Sequence, residues 1–194
     1  MQKAKIKYLI AGTIAITLQE LFSSDTDYPY TSDPRTTSII ITPSYPILNV
    51  DNKVPQVVVG DIQYSMQRTS LGNDFSNYIW DTDLTTGKRI QVGEVRKVPM
   101  GFSGTITVYS TNQSEVDDLI DVIAYELFLK NPEALMRKGL HIEQVSVGDS
   151  KNITALPQFE FGAQLALFGT TVLQYINRYA TNNSLLENIK LTLS

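Results

Sequence analysis

Near the N-terminus, Ile6, Ile10, Ile14, Leu18 and Leu21 recur at steps of four and three. That spacing lines one side of an α-helix and predicts a helix over about residues 3–23. Residues 23–35 are turn formers and tyrosines, and Pro29 and Pro34 hold the backbone extended or turned, so the helix stops there. Ile39, Ile40 and Ile41 mark a strand over 38–42, after which Pro43, Pro46 and Pro55 break the pattern into a strand end and loop or an edge strand. A β-branched and aromatic run over 57–67 predicts another strand, with Val58, Ile62, Tyr64 and Met66 on one side and Gly60 at a bulge.

Residues 70–77 are polar. Segments 78–80 and 89–98 then flank a polar tip at 81–88, the pattern of a long hairpin. Phe102, Gly104, Ile106 and Val108 alternate with Ser103, Thr105, Thr107 and Tyr109, a half-buried strand. Ser114 is an N-cap residue for a helix over 114–130, with Glu115, Asp117 and Asp118 in its positively polarised first turn. Val116, Leu119, Ile120, Ile123, Leu127 and Phe128 form its apolar stripe. Pro132 opens a short second helix that Gly139 ends, and Leu140, Ile142, Val145 and Val147 suggest a strand before a turn at 148–152. Phe159, Phe161, Ala163, Leu165 and Leu167 give the most regular period of two in the chain. Residues 171–179 continue as a strand, either through a turn at 168–170 or as one long bent strand. A turn at 182–184 precedes a last short strand over 189–193. The expected fold is α+β: a mainly antiparallel sheet flanked by an N-terminal helix and a central helix, with a protruding β-hairpin arm. The expected organisation is a single domain over 1–194, with the arm at 78–98 and a C-terminal β extension at 155–194.

Composition narrows the chemistry. The 194 residues suffice for one self-supporting core. Sixteen Lys and Arg against twenty Asp and Glu leave a net charge of −4, which argues against binding nucleic acid through phosphate neutralisation. Zero cysteines exclude disulfides, thiolate metal sites and cysteine nucleophiles, and a single histidine, His141, removes most histidine-ligated sites. Lys3, Lys5 and Lys7 before an apolar run at 8–18 imitate a secretion signal, but no small-x-small cleavage site follows, so the segment reads as the opening helix of a soluble protein made in the cytoplasm. The run is also short of the ~18–20 apolar residues of a membrane span.

No phosphate-cradling glycine motif is present, and Gly101-Phe102-Ser103-Gly104 lacks the spacing of a nucleophile elbow. Asp117 and Asp121 lie one helical turn apart and with His141 could suggest a metal-dependent hydrolase; the simpler reading is a solvated helix face with favourable charge at its start. The run 81–87 echoes a calcium loop but has glycine at the seventh position and Val92 where a bidentate glutamate belongs. The Asn112, Asn152 and Asn182 sequons matter only in a secreted chain. No catalytic, cofactor-binding or metal-ligating residue is assigned, and no cofactor is expected. Ten tyrosines against one tryptophan, with Tyr28, Tyr30 and Tyr45 in loops and Tyr109, Tyr175 and Tyr179 on strands, fit either lids on the core or contacts with other proteins. The expected contact residues are Tyr78, Ile79, Trp80, Lys88, Arg89, Arg96 and Lys97 on a basic arm, and Asp117, Asp118 and Asp121 on an acidic helix.

Residues 101–110 (GFSGTITVYS), 114–127 (SEVDDLIDVIAYEL) and 139–149 (GLHIEQVSVGD) form a strand–helix–strand unit behind a hairpin arm and an opening helix. Over roughly 1–150 this resembles the tail terminator and tail completion (neck) proteins of tailed bacteriophages. The resemblance implies a small α+β subunit, no enzymatic activity, and assembly as a ring, commonly a hexamer, at the end of the tail tube. It implies contacts with tube, sheath and head–tail connector proteins, with DNA only passing through the lumen, no membrane, and a place in the virion. Residues 155–194 have no counterpart in the simplest members. The alternatives are a head–tail connector docking on the portal, a small hydrolase using Asp117, Asp121 and His141, and an exported ligand-binding domain.

Overall fold

The computed structural model describes residues 2–33, 35–43, 54–66, 75–154, 156, 158–178 and 190–193. Two long strands form its spine. β4 (Arg89–Ser110) and β7 (Phe161–Arg178) pair antiparallel without interruption from Gly93↔Arg178 to Ser110↔Phe161. On the free side of β4, β2 (Gln56–Met66) pairs with its second half and β3 (Phe75–Thr82) with its first, so the two lie end to end. On the free side of β7, β6 (Lys151–Asn152), β5 (Leu140–Val147) and β8 (Lys190–Leu193) follow one another in the same way. β1 (Ile40–Pro43) adds to β2 in parallel, and every other pairing is antiparallel.

Three helices cover one face. α1 (Gln2–Phe22) lies over β1 and β2, α2 (Gln113–Ala124) over β4 and β7, and α3 (Pro132–Met136) against β5. The α1 stripe of Ile6, Ile10, Ile14 and Leu18 is buried, and Phe22 closes it where Leu21 was expected, leaving Leu21 half-buried. Even-numbered β4 residues from Met100 to Val108 and odd-numbered β7 residues from Ala163 to Leu173 point into this layer, as the alternating pattern predicts. Val116, Leu119, Ile120 and Ile123 of α2 complete the core.

Several elements differ from the sequence reading. Segments 89–98 and 102–109 are one strand. Proline fits an interior strand only where no ladder partner needs its N–H, and Pro99 falls where described pairing by β3 ends at Arg96 and that by β2 begins at Met100. Of the two readings of 161–178, a turn at 168–170 or one long strand, the structure has the one continuous strand. The stretch read as a C-terminal extension therefore supplies the central strand β7. In β2 the bulge lies between Gly60 and Gln63, and Asp61 takes the left-handed conformation at φ +50°. The extra residue flips the pleat, so Val57 and Val59 join the core before the bulge and Ile62 after it, while Val58 faces the other side.

The central helix is capped by Asn112, not Ser114: the Asn112 Oδ1 accepts from the Ser114 amide at 3.0 Å. From Tyr125 to Lys130 it widens into a π-helical turn. Leu127 stays buried while Phe128 is 40% exposed, so the apolar stripe ends one residue earlier than its period predicts. Gly139, at φ +82°, ends α3 as predicted.

Candidate functional site

The hairpin of β3 and β4 projects past the helical layer, and its proximal part is thickened by β7, which pairs with β4 as far as Gly93. The arm is therefore a distal two-stranded ribbon on a broader base. Its tip is held by short-range hydrogen bonds. The Asp83 amide donates to the Lys88 carbonyl (2.9 Å) and the Gly87 amide to the Asp83 carbonyl (2.7 Å). The Asp83 carboxylate accepts from the Thr85 amide (2.9 Å) and the Thr86 hydroxyl (2.7 Å), and these bonds, the Thr86 hydroxyl above all, hold its pKa below the usual carboxylate value. Leu84 sits on this ordered tip and is fully exposed.

Trp80 is 46% exposed, with Tyr78 edge-on at 6.2 Å between ring centroids and the Arg89 guanidinium 5.3 Å above its ring. Cation–π attraction at an exposed site is worth ~0.5–1 kcal/mol, enough to orient both side chains. Ile79 is half-buried, and Lys88 and Lys97 are exposed. Arg96, expected as an interface cation, donates from its Nε to Glu94 at 2.7 Å, and that carboxylate is largely buried.

The acidic surface lies at the far end of the same strand. β4 runs 22 residues, a contour of about 70 Å, from the arm to the turn before α2. On α2, Asp118 and Asp121 are exposed and Asp117 is half-buried. Glu115 instead turns inward to the Ser110 hydroxyl. Burial, together with the charges of Glu115 and Asp118, raises the pKa of the Tyr28 phenol beside this face. Arm and acidic helix are not brought together within one chain.

The outer side of the π-helical turn adds what the sequence reading missed. Tyr125 (53% exposed), Phe128 and Leu129 (68%) continue the acidic stripe as an apolar one, with exposed Met136 on α3 nearby in the chain. Phe128, which its period assigns to the apolar stripe, is therefore on the surface. Tyr125 lies four residues beyond Asp121, a spacing that could have signalled the shared face.

The remaining candidates fall elsewhere. His141 is exposed at the start of β5 and borders an apolar groove of about 330 Å³ with Pro99, Met136 and Val172. Among the described residues no three His, Asp or Glu side chains are grouped to hold a metal ion, so Asp117, Asp121 and His141 form no such cluster. Tyr28 and Tyr30 pack as lids on the core, and Tyr109 stacks on Phe159 at 5.7 Å. The side chains of Tyr45, Tyr175 and Tyr179 lie outside the described residues, as does Asn182. No described helix is long and apolar enough to cross a membrane. Comparison with protein-family models finds no match, and comparison with curated proteins finds none either.

Proposed function

We propose that this chain is a structural virion subunit, a tail terminator or tail completion protein that closes into a ring at the neck of a phage tail. The observation that carries the reading is the arm: an ordered hairpin that presents Trp80 and Leu84 to solvent beyond its own core. A lone tryptophan held by Arg89 and Tyr78 on a rigid ribbon has the form of a binding anchor, since buried aromatics dominate protein interfaces. The strand–helix–strand unit at 101–147 and the helix-flanked, mainly antiparallel sheet agree with the family that the sequence resembles. A ring needs one surface of each subunit to meet a different surface of the next, and the arm and the α2 face are two such surfaces at opposite ends of β4. The net charge of −4 suits a lumen through which DNA slides without being held. The role is structural, with tube, sheath and connector proteins as further partners.

Native mass measurement and negative-stain imaging of the purified protein, alone and with purified tail tubes, test this reading. The expected result is a closed ring of several 21.7 kDa subunits, six in the simplest case, seated on a tube end. A species that stays monomeric at every concentration and does not bind tubes would overturn it.

A further inference from the structure

We infer that the β3–β4 hairpin of one copy docks along the outer face of α2 and the π-helical turn of the next copy. The inference rests on the ring reading above for its partner, a second copy of this chain; the contact itself is argued from matching chemistry.

Read from its tip inwards, the arm offers Leu84, then Lys88, then Arg89 on Trp80. Read from its C-terminal end backwards, the helix offers Leu129 and Tyr125, then Asp121, then Asp118 and Asp117. Apolar meets apolar and cation meets carboxylate in the same order.

Neighbouring charges set the limits of the match: Asp81, exposed beside Trp80, adds a carboxylate to the arm, so the cations that meet the helix are Lys88 and Arg89. Lys130 is paired with Glu126 at 2.5 Å and Arg137 with Glu133 at 2.8 Å, so the cations beyond the apolar end are already matched by carboxylates of their own segment. Asp83, the acid nearest Leu84, is turned back into the tip by its bonds to Thr85 and Thr86. The π-helical widening has a role here, because it carries Phe128 outwards and extends the apolar end of the stripe beyond α2. An aromatic ribbon with two adjacent cations against an acidic helix with an apolar end gives complementarity of charge at one contact. It also accounts for two surfaces about 70 Å of strand contour apart that one chain cannot bring together.

The absence of cysteine allows a direct test in the full-length protein. Leu84→Cys and Leu129→Cys are made separately, mixed and oxidised. The comparison is Leu84→Cys with Val147→Cys, another exposed position, on β5. A covalent dimer enriched several-fold in the Leu84–Leu129 mixture is expected, and equal yields in both mixtures would overturn the contact. A charge exchange supplies the second arm. Lys88→Glu with Arg89→Glu should weaken self-association about tenfold or more, and adding Asp118→Lys with Asp121→Lys should restore most of it. Circular dichroism confirms that each variant is folded. If the exchange fails to restore association, this pairing of surfaces is wrong. The outcomes separate the two readings: rings without the Leu84–Leu129 bond keep the neck reading and sink this contact, while the bond without closed rings does the reverse.

Discussion

Gly169 is where the long strand β7 pairs with the start of β5, beside a register shift, and replacing it with alanine tests the sheet at a crowded point. A Cβ there would stand 2.2 Å from the His141 carbonyl oxygen and 2.9 Å from the Phe102 ring. An ordinary carbon–oxygen contact is about 3.3 Å, so β5 must retreat by roughly 1 Å. The obstacle is backbone on one side and a buried aromatic on the other, and neither moves cheaply. Overpacking of this kind costs ~1–3 kcal/mol, and one strained or lost ladder hydrogen bond beside it adds ~0.5–1.5 kcal/mol. We expect a loss of about 2–4 kcal/mol, a large part of the ~5–15 kcal/mol of a typical domain. Gly12→Ala is the counterpart. It lies mid-helix in α1 with nothing within 4 Å of a new Cβ, so alanine should stabilise by ~0.5–1 kcal/mol. Guanidinium unfolding of the three proteins, read by circular dichroism, compares them on one scale. A Gly169→Ala variant within about 0.5 kcal/mol of the parent would mean that β5 does not approach β7 in this register, and the reasoning would fail.

Leu119→Ala or Ile123→Ala, each fully buried between α2 and the sheet, should cost about 2–5 kcal/mol in the same unfolding assay. Acidification should loosen the arm tip first. The Asp83 pKa is depressed, so the order its carboxylate supplies is present above the unfolded value near 4 and is lost as pH falls through the lower folded value. Protection against hydrogen exchange at Thr85 and Gly87, taken relative to the intrinsic exchange rate at each pH, should therefore fall below about pH 4, and Asp83→Asn should show that lower protection already at neutral pH. Asp121→Asn combined with His141→Ala should leave fold and stability essentially unchanged, since both side chains are exposed; loss of activity in any hydrolase screen would mean they do chemistry. Deleting 82–87 together with Trp80→Ala should leave a folded subunit that no longer self-associates by analytical ultracentrifugation.

The parts of the fold legible in the sequence were those set by local periodicity. The buried stripes of α1 and α2 and the alternation along β4 and β7 follow from side-chain spacing, which needs no partner to be seen. What escaped was set by pairing between distant segments. Segments 89–98 and 102–109 read as two strands until both are seen to pair with the one strand β7. A turn at 168–170 and one long strand are equally open from the sequence until β4 and β5 are seen to pair through Gly169. The parity of β2 was misread because the bulge at Gly60–Asp61 inserts a residue that no hydrophobic pattern records. At the surface, the exposed Trp80 of the hairpin could be anticipated from its polar surroundings. At the apolar end, Tyr125 follows Asp121 at a spacing of four, whereas the exposure of Phe128 could not be anticipated because the period of 3.6 fails where the helix widens.

The central claim is that this chain assembles with itself through its arm. Native mass spectrometry over a range of concentrations, run on the parent and on Trp80→Ala, tests it most directly. The account predicts a discrete multiple of the 21.7 kDa subunit for the parent and a folded monomer for the variant. A parent that remains monomeric throughout, or a variant that assembles as well as the parent, would contradict it.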